Sequence, residues 1–128
     1  MMVLDTHAWL WWCSDRSKLK PALARRLAKE PTLYVSTISA WEVCMLVEKG
    51  RLTLSAQPRA AVRALCAADG IRMVPVSDAI ATEAALLGPD FHGDPADRFI
   101  VATAVDLRAK LVTKDERITA SNLVETLW

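Results

Sequence analysis

Four short apolar runs, MMVL (1–4), TLYVS (32–36), IRMVPV (71–76) and KLVT (110–113), are separated by stretches whose apolar residues recur at helical spacing. A continuous apolar run this short suits a strand buried on both faces. Strands separated by helices suit a parallel sheet covered on both sides, because a parallel neighbour needs a crossover connection. The spacing predicts a helical turn or two over THAWLWW and helices over PALARRLAKE, SAWEVCMLVEKG, PRAAVRALCAADG, SDAIATEAALLG and DPADRFIVATAVDLRA. PDFHG reads as a loop, KDE after KLVT as an exposed turn, and NLVETLW as a short final strand. Gly50, Gly70 and Gly88 stand where three of these helices would end.

At 128 residues, 52% hydrophobic and 24% charged, the chain has the composition of one globular domain spanning 1–128. No run is long enough for a membrane span, and MMVL is stopped at once by Asp5, so no signal peptide is expected. Cys13, Cys44 and Cys66 are odd in number and widely spaced, which suits reduced, core-facing thiols in a cytoplasmic protein. A net charge of +1 excludes a globally basic nucleic-acid binder. Six basic residues (Arg16, Lys18, Lys20, Arg25, Arg26 and Lys29) nevertheless occur together. They read as a solvated helix face or as a surface for phosphates or an acidic partner.

The acidic residues fall in a pattern. Asp5 ends the first strand, and Ser39 and Glu42 open a helix with the spacing of a capping box. Asp94 and Asp97 open another helix around Pro95, and Asp115 follows KLVT. Taken singly, helix capping accounts for Glu42 and Asp97, and a turn accounts for Asp115. In a parallel sheet, however, strand ends and following helix starts share one edge, where ligands bind near a change in strand order. Carboxylates gathered there repel one another, and burial would raise their proton affinity. A divalent cation relieves that conflict. Oxygen donors favour Mg²⁺ or Mn²⁺ over zinc, which needs Cys and His at short spacing. Such an ion acidifies bound water and stabilises charge at phosphorus. GxSxG, P-loop, GxGxxG and HExxH motifs are absent, so metal-dependent phosphodiester hydrolysis is the chemistry these residues fit.

VLDTHAWLWW, ISAWEVCMLVEKGRL, HGDPADRFIVATA and LVTKDE together resemble PIN-domain ribonucleases, in particular the toxin of virulence-associated BC (VapBC) toxin–antitoxin pairs. The resemblance implies a three-layer α/β/α PIN-like fold whose central, mainly parallel sheet has four to five strands. It also implies a Mg²⁺- or Mn²⁺-dependent endoribonuclease, an RNA substrate, a small antitoxin protein that blocks the site, and a homodimer. By motif, Asp5, Glu42, Asp97 and Asp115 correspond to the metal-holding catalytic acids. Asp94 matches an extra acid of a DPxDR subgroup and reads first as a helix cap. Ala96 stands where that subgroup often has a bulky apolar residue.

Other residues have two readings each. Thr6, Ser36, Ser39 and Thr113 could orient carboxylates or simply cap elements. His7 and His92 suit local hydrogen bonds better than metal ligation. Arg98 could contact RNA phosphate or make an ion pair at the helix start. Trp9, Trp11 and Trp12 suit core or interface burial better than base stacking, Trp128 could be packed or exposed, and Met45, Leu46 and Val47 suit core or partner contacts. Two other functions fit in part. A receiver-like signalling domain would use Lys114, but the chain lacks an adjacent acidic pair after the first strand. A non-catalytic PIN-like RNA-binding module would be expected to lack some of the acids. A DxD phosphatase is disfavoured by Thr6-His7 after Asp5.

Overall fold

The computed structural model describes residues 1–91 and 94–128. The strands are β1 (Met2–Leu4), β2 (Leu33–Ser36), β3 (Ile71–Val74), β4 (Lys110–Val112) and β5 (Thr126–Leu127). They form one sheet in the order β3-β2-β1-β4-β5, and every neighbouring pair is parallel. The central strand, β1, is wholly buried.

Side chains on a strand alternate between faces, and that alternation sorts the core into two halves. Met2, Leu4, Leu33, Val35 and Val112 point to one side, where they pack with Trp9 of α1 (Thr6–Ser14), Leu23 and Leu27 of α2 (Pro21–Ala28) and Leu65 of α4 (Pro58–Cys66). Val3, Tyr34 and Leu111 point to the other side, against Ile100, Val101 and Ala104 of α6 (Pro95–Leu107) and Ile118 of α7 (Glu116–Ser121). Between them, α3 (Ile38–Glu48) gives Val43 to the first half and Ile38 to the second. The helix α5 (Asp78–Ala85) packs on α6 through Ile80, Ala84 and Ala102. The result is the expected three-layer α/β/α arrangement, with five strands. No described helix is long and apolar enough to cross a membrane.

Local signals explain most boundaries. Pro21, Pro58 and Pro95 each occupy the first turn of a helix, where the missing N–H costs nothing. Gly50 follows α3 at φ +70°, a conformation that would strain a side chain. The end of α6 lacks such a glycine: Arg108 itself adopts the left-handed conformation at φ 52° and stops the helix at Leu107.

THAWLWW is helical, as expected, and lies in a nine-residue helix, α1, started by the Asp5 cap. Two expectations change. The segment after KLVT is not a simple turn, since Asp115 caps α7. Ser39 does not cap α3, because the helix begins one residue earlier, at Ile38. The Ser36 hydroxyl instead accepts from the Ile38 N–H at 3.2 Å, and Ser39 turns into the interior. The capping-box reading of Ser39 and Glu42 therefore falls, which leaves Glu42 without that structural role.

Candidate active site

Strand order reverses around β1: the chain runs outward through β2 and β3, then returns to β4 on the opposite side. Asp5 follows β1 and Thr113-Lys114-Asp115 follows β4, so both lie at the crevice where parallel α/β sheets bind ligands. The two strand ends are tied directly, with the Asp5 N–H donating to the Val112 carbonyl at 3.0 Å. A cleft of about 650 Å³ opens there, lined by Asp5, Glu42, Asp94, Asp97 and Asp115 among others. Acids far apart in sequence thus reach one cavity from β1, α3, α6 and the β4–α7 turn.

Each carboxylate is placed by its backbone. Asp5 is the N-cap of α1 and accepts from the Ala8 N–H at 2.8 Å. Asp94 is the N-cap of α6, accepting from Ala96 at 3.0 Å and Asp97 at 3.5 Å. Asp115 caps α7 through the N–H groups of Arg117 at 2.8 Å and Ile118 at 3.2 Å. Asp97 sits in the first turn of α6, and Glu42 is partly buried on α3.

The electrostatics are strained in the way that clustered acids require. Burial pushes the Asp5 carboxyl above its ordinary value, and the charge of Asp115 adds to the rise. Hydrogen bonds from the Thr113 hydroxyl and the Ala8 N–H, and the nearby His7, pull the other way. Glu42 is likewise raised, first by burial and then by Asp97 and Asp94. The Thr6 side chain and His7 oppose that rise.

Two threonines support these acids from beneath. Thr6 and Thr113 are both buried. Thr6 donates to Ser39 Oγ at 2.9 Å and is within hydrogen-bonding reach of Glu42. Thr113 is within hydrogen-bonding reach of Asp5, and its hydroxyl oxygen accepts from the Asp115 N–H at 3.1 Å. A single side chain thereby stands between the two acids of β1 and β4.

Several cleft residues were not foreseen as a group. Trp11, Lys114, Arg117 and Trp128 join the acids in lining the cavity. Trp9 and Trp12 are core residues, as expected, whereas Trp11 is only partly buried. The i, i+4 spacing of His7 and Trp11 on α1 was the available signal for their shared face. The neighbouring Trp128 could not be inferred without the register of β5.

Other expectations resolve differently. Arg98 does not line the cleft. Its guanidinium donates to the carbonyls of Ala84, Gly88 and Phe91 at 3.2, 3.4 and 2.9 Å, tying the end of α5 and the following loop to α6. Those bonds replace both the phosphate contact and the ion pair at the helix start. His92 lies outside the described residues. Cys13, Cys44 and Cys66 are all free thiols and all partly buried. Met45, Leu46 and Val47 are partly buried as well.

Among the described residues, no three of His, Cys, Asp and Glu come close enough to form a ready-made metal cage. The carboxylates that line the cleft still offer oxygen donors suited to a hard divalent ion, with proton affinity raised at Asp5 and Glu42. Mg²⁺ in particular is commonly held by one or two carboxylates, with water completing its shell, so it needs no closed cage.

The sequence pattern of the PIN domain matches residues 2–121. Ribonuclease VapC22 of Mycobacterium tuberculosis (strain ATCC 25618 / H37Rv) is 34% identical over 117 residues, covering 91% of this chain and 88% of that protein. Among solved structures, VapBC2 from Rickettsia felis, bound to a DNA fragment from its promoter, superposes with a TM-score of 0.72 at 16% identity. That match covers 98% of this chain and 96% of that one. VapC20 of Mycobacterium tuberculosis, described as a sarcin-ricin loop cleaving toxin, superposes at 0.69 with 18% identity, covering 98% of each chain. At those identities the structural matches speak to the fold alone.

Proposed function

The chain belongs to the PIN domain family, and from that premise we propose that it is a metal-dependent endoribonuclease acting as the toxin of a toxin–antitoxin pair. The observation that carries the reading is the meeting of Asp5, Glu42, Asp97 and Asp115 in one cleft at the switch point of the sheet. A ribonuclease 34% identical over most of the chain supports RNA as the substrate.

In this reading Asp5, Glu42, Asp97 and Asp115 would hold Mg²⁺ or Mn²⁺, which when bound would supply a more acidic water and positive charge at the phosphorus centre. The chain's own residues do the rest. Burial and mutual repulsion keep Asp5 and Glu42 poised to accept positive charge. Thr6 and Thr113 stand within hydrogen-bonding reach of Glu42 and Asp5. Asp94 serves mainly as the cap that sets the start of α6, and its charge adds to the field at Glu42. Lys114 and Arg117 bring positive side chains to the rim, where a phosphate backbone would lie.

A small antitoxin protein fits beside the same cleft. A largely apolar groove of about 610 Å³ runs between α1, residues 51–57 and α4, with Leu10, Leu52, Leu54 and Leu65 in its walls. It shares His7 and Trp11 with the acidic cleft, so a segment seated in the groove would reach the acids. A homodimer and a cytoplasmic location complete the proposal.

The test is cleavage of a mixed RNA substrate by the purified protein with Mg²⁺, Mn²⁺ or EDTA. Cleavage is expected only with metal, and Asp5→Asn and Asp97→Asn should each abolish it while remaining folded. Full activity in both variants, with contaminating nuclease excluded, would overturn the assignment.

A further inference from the structure

The acidic cleft has a second, aromatic wall that the metal chemistry does not use. The rings of Trp11 and Trp128 lie 5.7 Å apart, centroid to centroid, tilted by 59°. Trp11 also meets the His7 ring, again at 5.7 Å. The Lys114 ammonium stands 5.4 Å from the Trp11 ring centre. All four of these side chains line the cavity that holds the acids.

The fold fixes this wall firmly. Val112 pairs with Leu127 in the β4–β5 register, and the Thr113 N–H donates to the Leu127 carbonyl at 3.0 Å. Trp128 is therefore held beside Thr113, the residue next to Asp5. Trp11 follows His7 by one turn on the helix that Asp5 caps. Both indoles are anchored to the elements that carry the acids, yet neither is fully buried.

A partly exposed aromatic surface with a cation beside it suits a nucleobase next to a phosphate. Every base has a π-face, so stacking tolerates sequence and favours unpaired strands. We propose that Trp11 and Trp128 form a stacking platform for one unpaired base adjoining the scissile phosphate, with Lys114 holding a neighbouring phosphate. The proposal rests on the nuclease reading, and it makes single-stranded RNA the substrate form. Trp11 and Trp128 are positioning residues: they set where the strand lies over the acids.

The test measures binding without catalysis. In EDTA, a single-stranded oligoribonucleotide is titrated against the wild type, Trp128→Leu, Trp128→Phe and, as a control outside the cleft, Trp41→Phe. Leucine keeps apolar bulk but removes the π-face, and phenylalanine restores it. Trp128→Leu should weaken binding about tenfold or more, in line with the worth of one stacked base. It should raise KM by a similar factor while leaving kcat within about twofold. Trp128→Phe should recover most of the loss, and Trp41→Phe should change nothing. A single abasic position is also walked along the oligonucleotide. One position should cost the wild type about tenfold and cost Trp128→Leu almost nothing. The wild-type abasic scan needs no variant, so it stands even if a substitution impairs folding. Unchanged affinity in Trp128→Leu, or an abasic scan without a sensitive position, overturns the platform. Failure of the wild type to cleave any RNA with metal defeats the nuclease reading instead, and the EDTA arm separates the two.

Discussion

Asp5 is both a helix cap and a half-buried acid, and the two roles respond differently to its charge. The Ala8 N–H favours the carboxylate, but burial outweighs it and raises the carboxyl above 3.8. Glu42 is raised above 4.5 for the same leading reason. A carboxyl whose folded-state proton affinity exceeds its unfolded value stabilises the fold fully below the unfolded pKa. That contribution is lost as pH rises through the raised folded value. In EDTA, the part of the melting temperature owed to these two acids should therefore fall as pH climbs upward from the ordinary carboxylate range. Asp5→Asn keeps a capping oxygen and removes the charge, so it should flatten this slope and raise the melting temperature at neutral pH. Mn²⁺ should stabilise the wild type more at high pH than at low pH, because it competes with protons for the same oxygens. Thermal scans across pH with and without Mn²⁺ read all three effects; identical slopes in wild type and variant would contradict the strain assigned to Asp5.

At the scale of elements, the strands and most helices were legible because period and punctuation agreed. MMVL, TLYVS, IRMVPV and KLVT became β1 to β4, and Pro21, Pro58 and Pro95 marked helix starts. Asp94 was also read correctly as a cap. The element α7 was missed because ERITAS is only six residues, too short to show a helical period, and KDE looks like a turn. Ser39 was misread because S-A-W-E carries the capping-box spacing, whereas burial beside Thr6 sets its position. The role of Arg98 depends on carbonyls of a loop whose path no sequence pattern reveals. These elements yield two expectations. Asp115→Ala should cost about 1 kcal/mol through the lost cap as well as lowering cleavage. Asp115→Asn should keep the stability and lose only activity, as urea unfolding and cleavage assays would show. Arg98→Met should destabilise the fold by about 1.5–3 kcal/mol, the usual worth of a charge-assisted hydrogen bond. It should leave RNA affinity at the cleft unchanged; a selective loss of RNA binding would restore Arg98 as a phosphate contact.

Across the whole molecule, one sheet performs two tasks. Its two faces divide the core, and its C-terminal edge collects residues from positions 5 to 128 into one acidic and aromatic cleft. With a net charge of only +1, long-range attraction for RNA is weak, so the proposed function leaves recognition to the local set of Lys114, Arg117, Trp11 and Trp128. The adjoining apolar groove shares Trp11 with that set and is walled by Leu10 of the core. In the function proposed above, folding brings sequence-distant acids to a single divalent-cation site. Mn²⁺ added in small steps to isotopically labelled protein tests it directly, since a bound paramagnetic ion broadens nearby amide signals. The result expected is joint broadening of the amides around Asp5, Glu42, Asp97 and Asp115 at the same low metal level, with Asp5→Asn suppressing all four together. Broadening confined to one of these segments, or spread evenly over exposed acids, would contradict the claim.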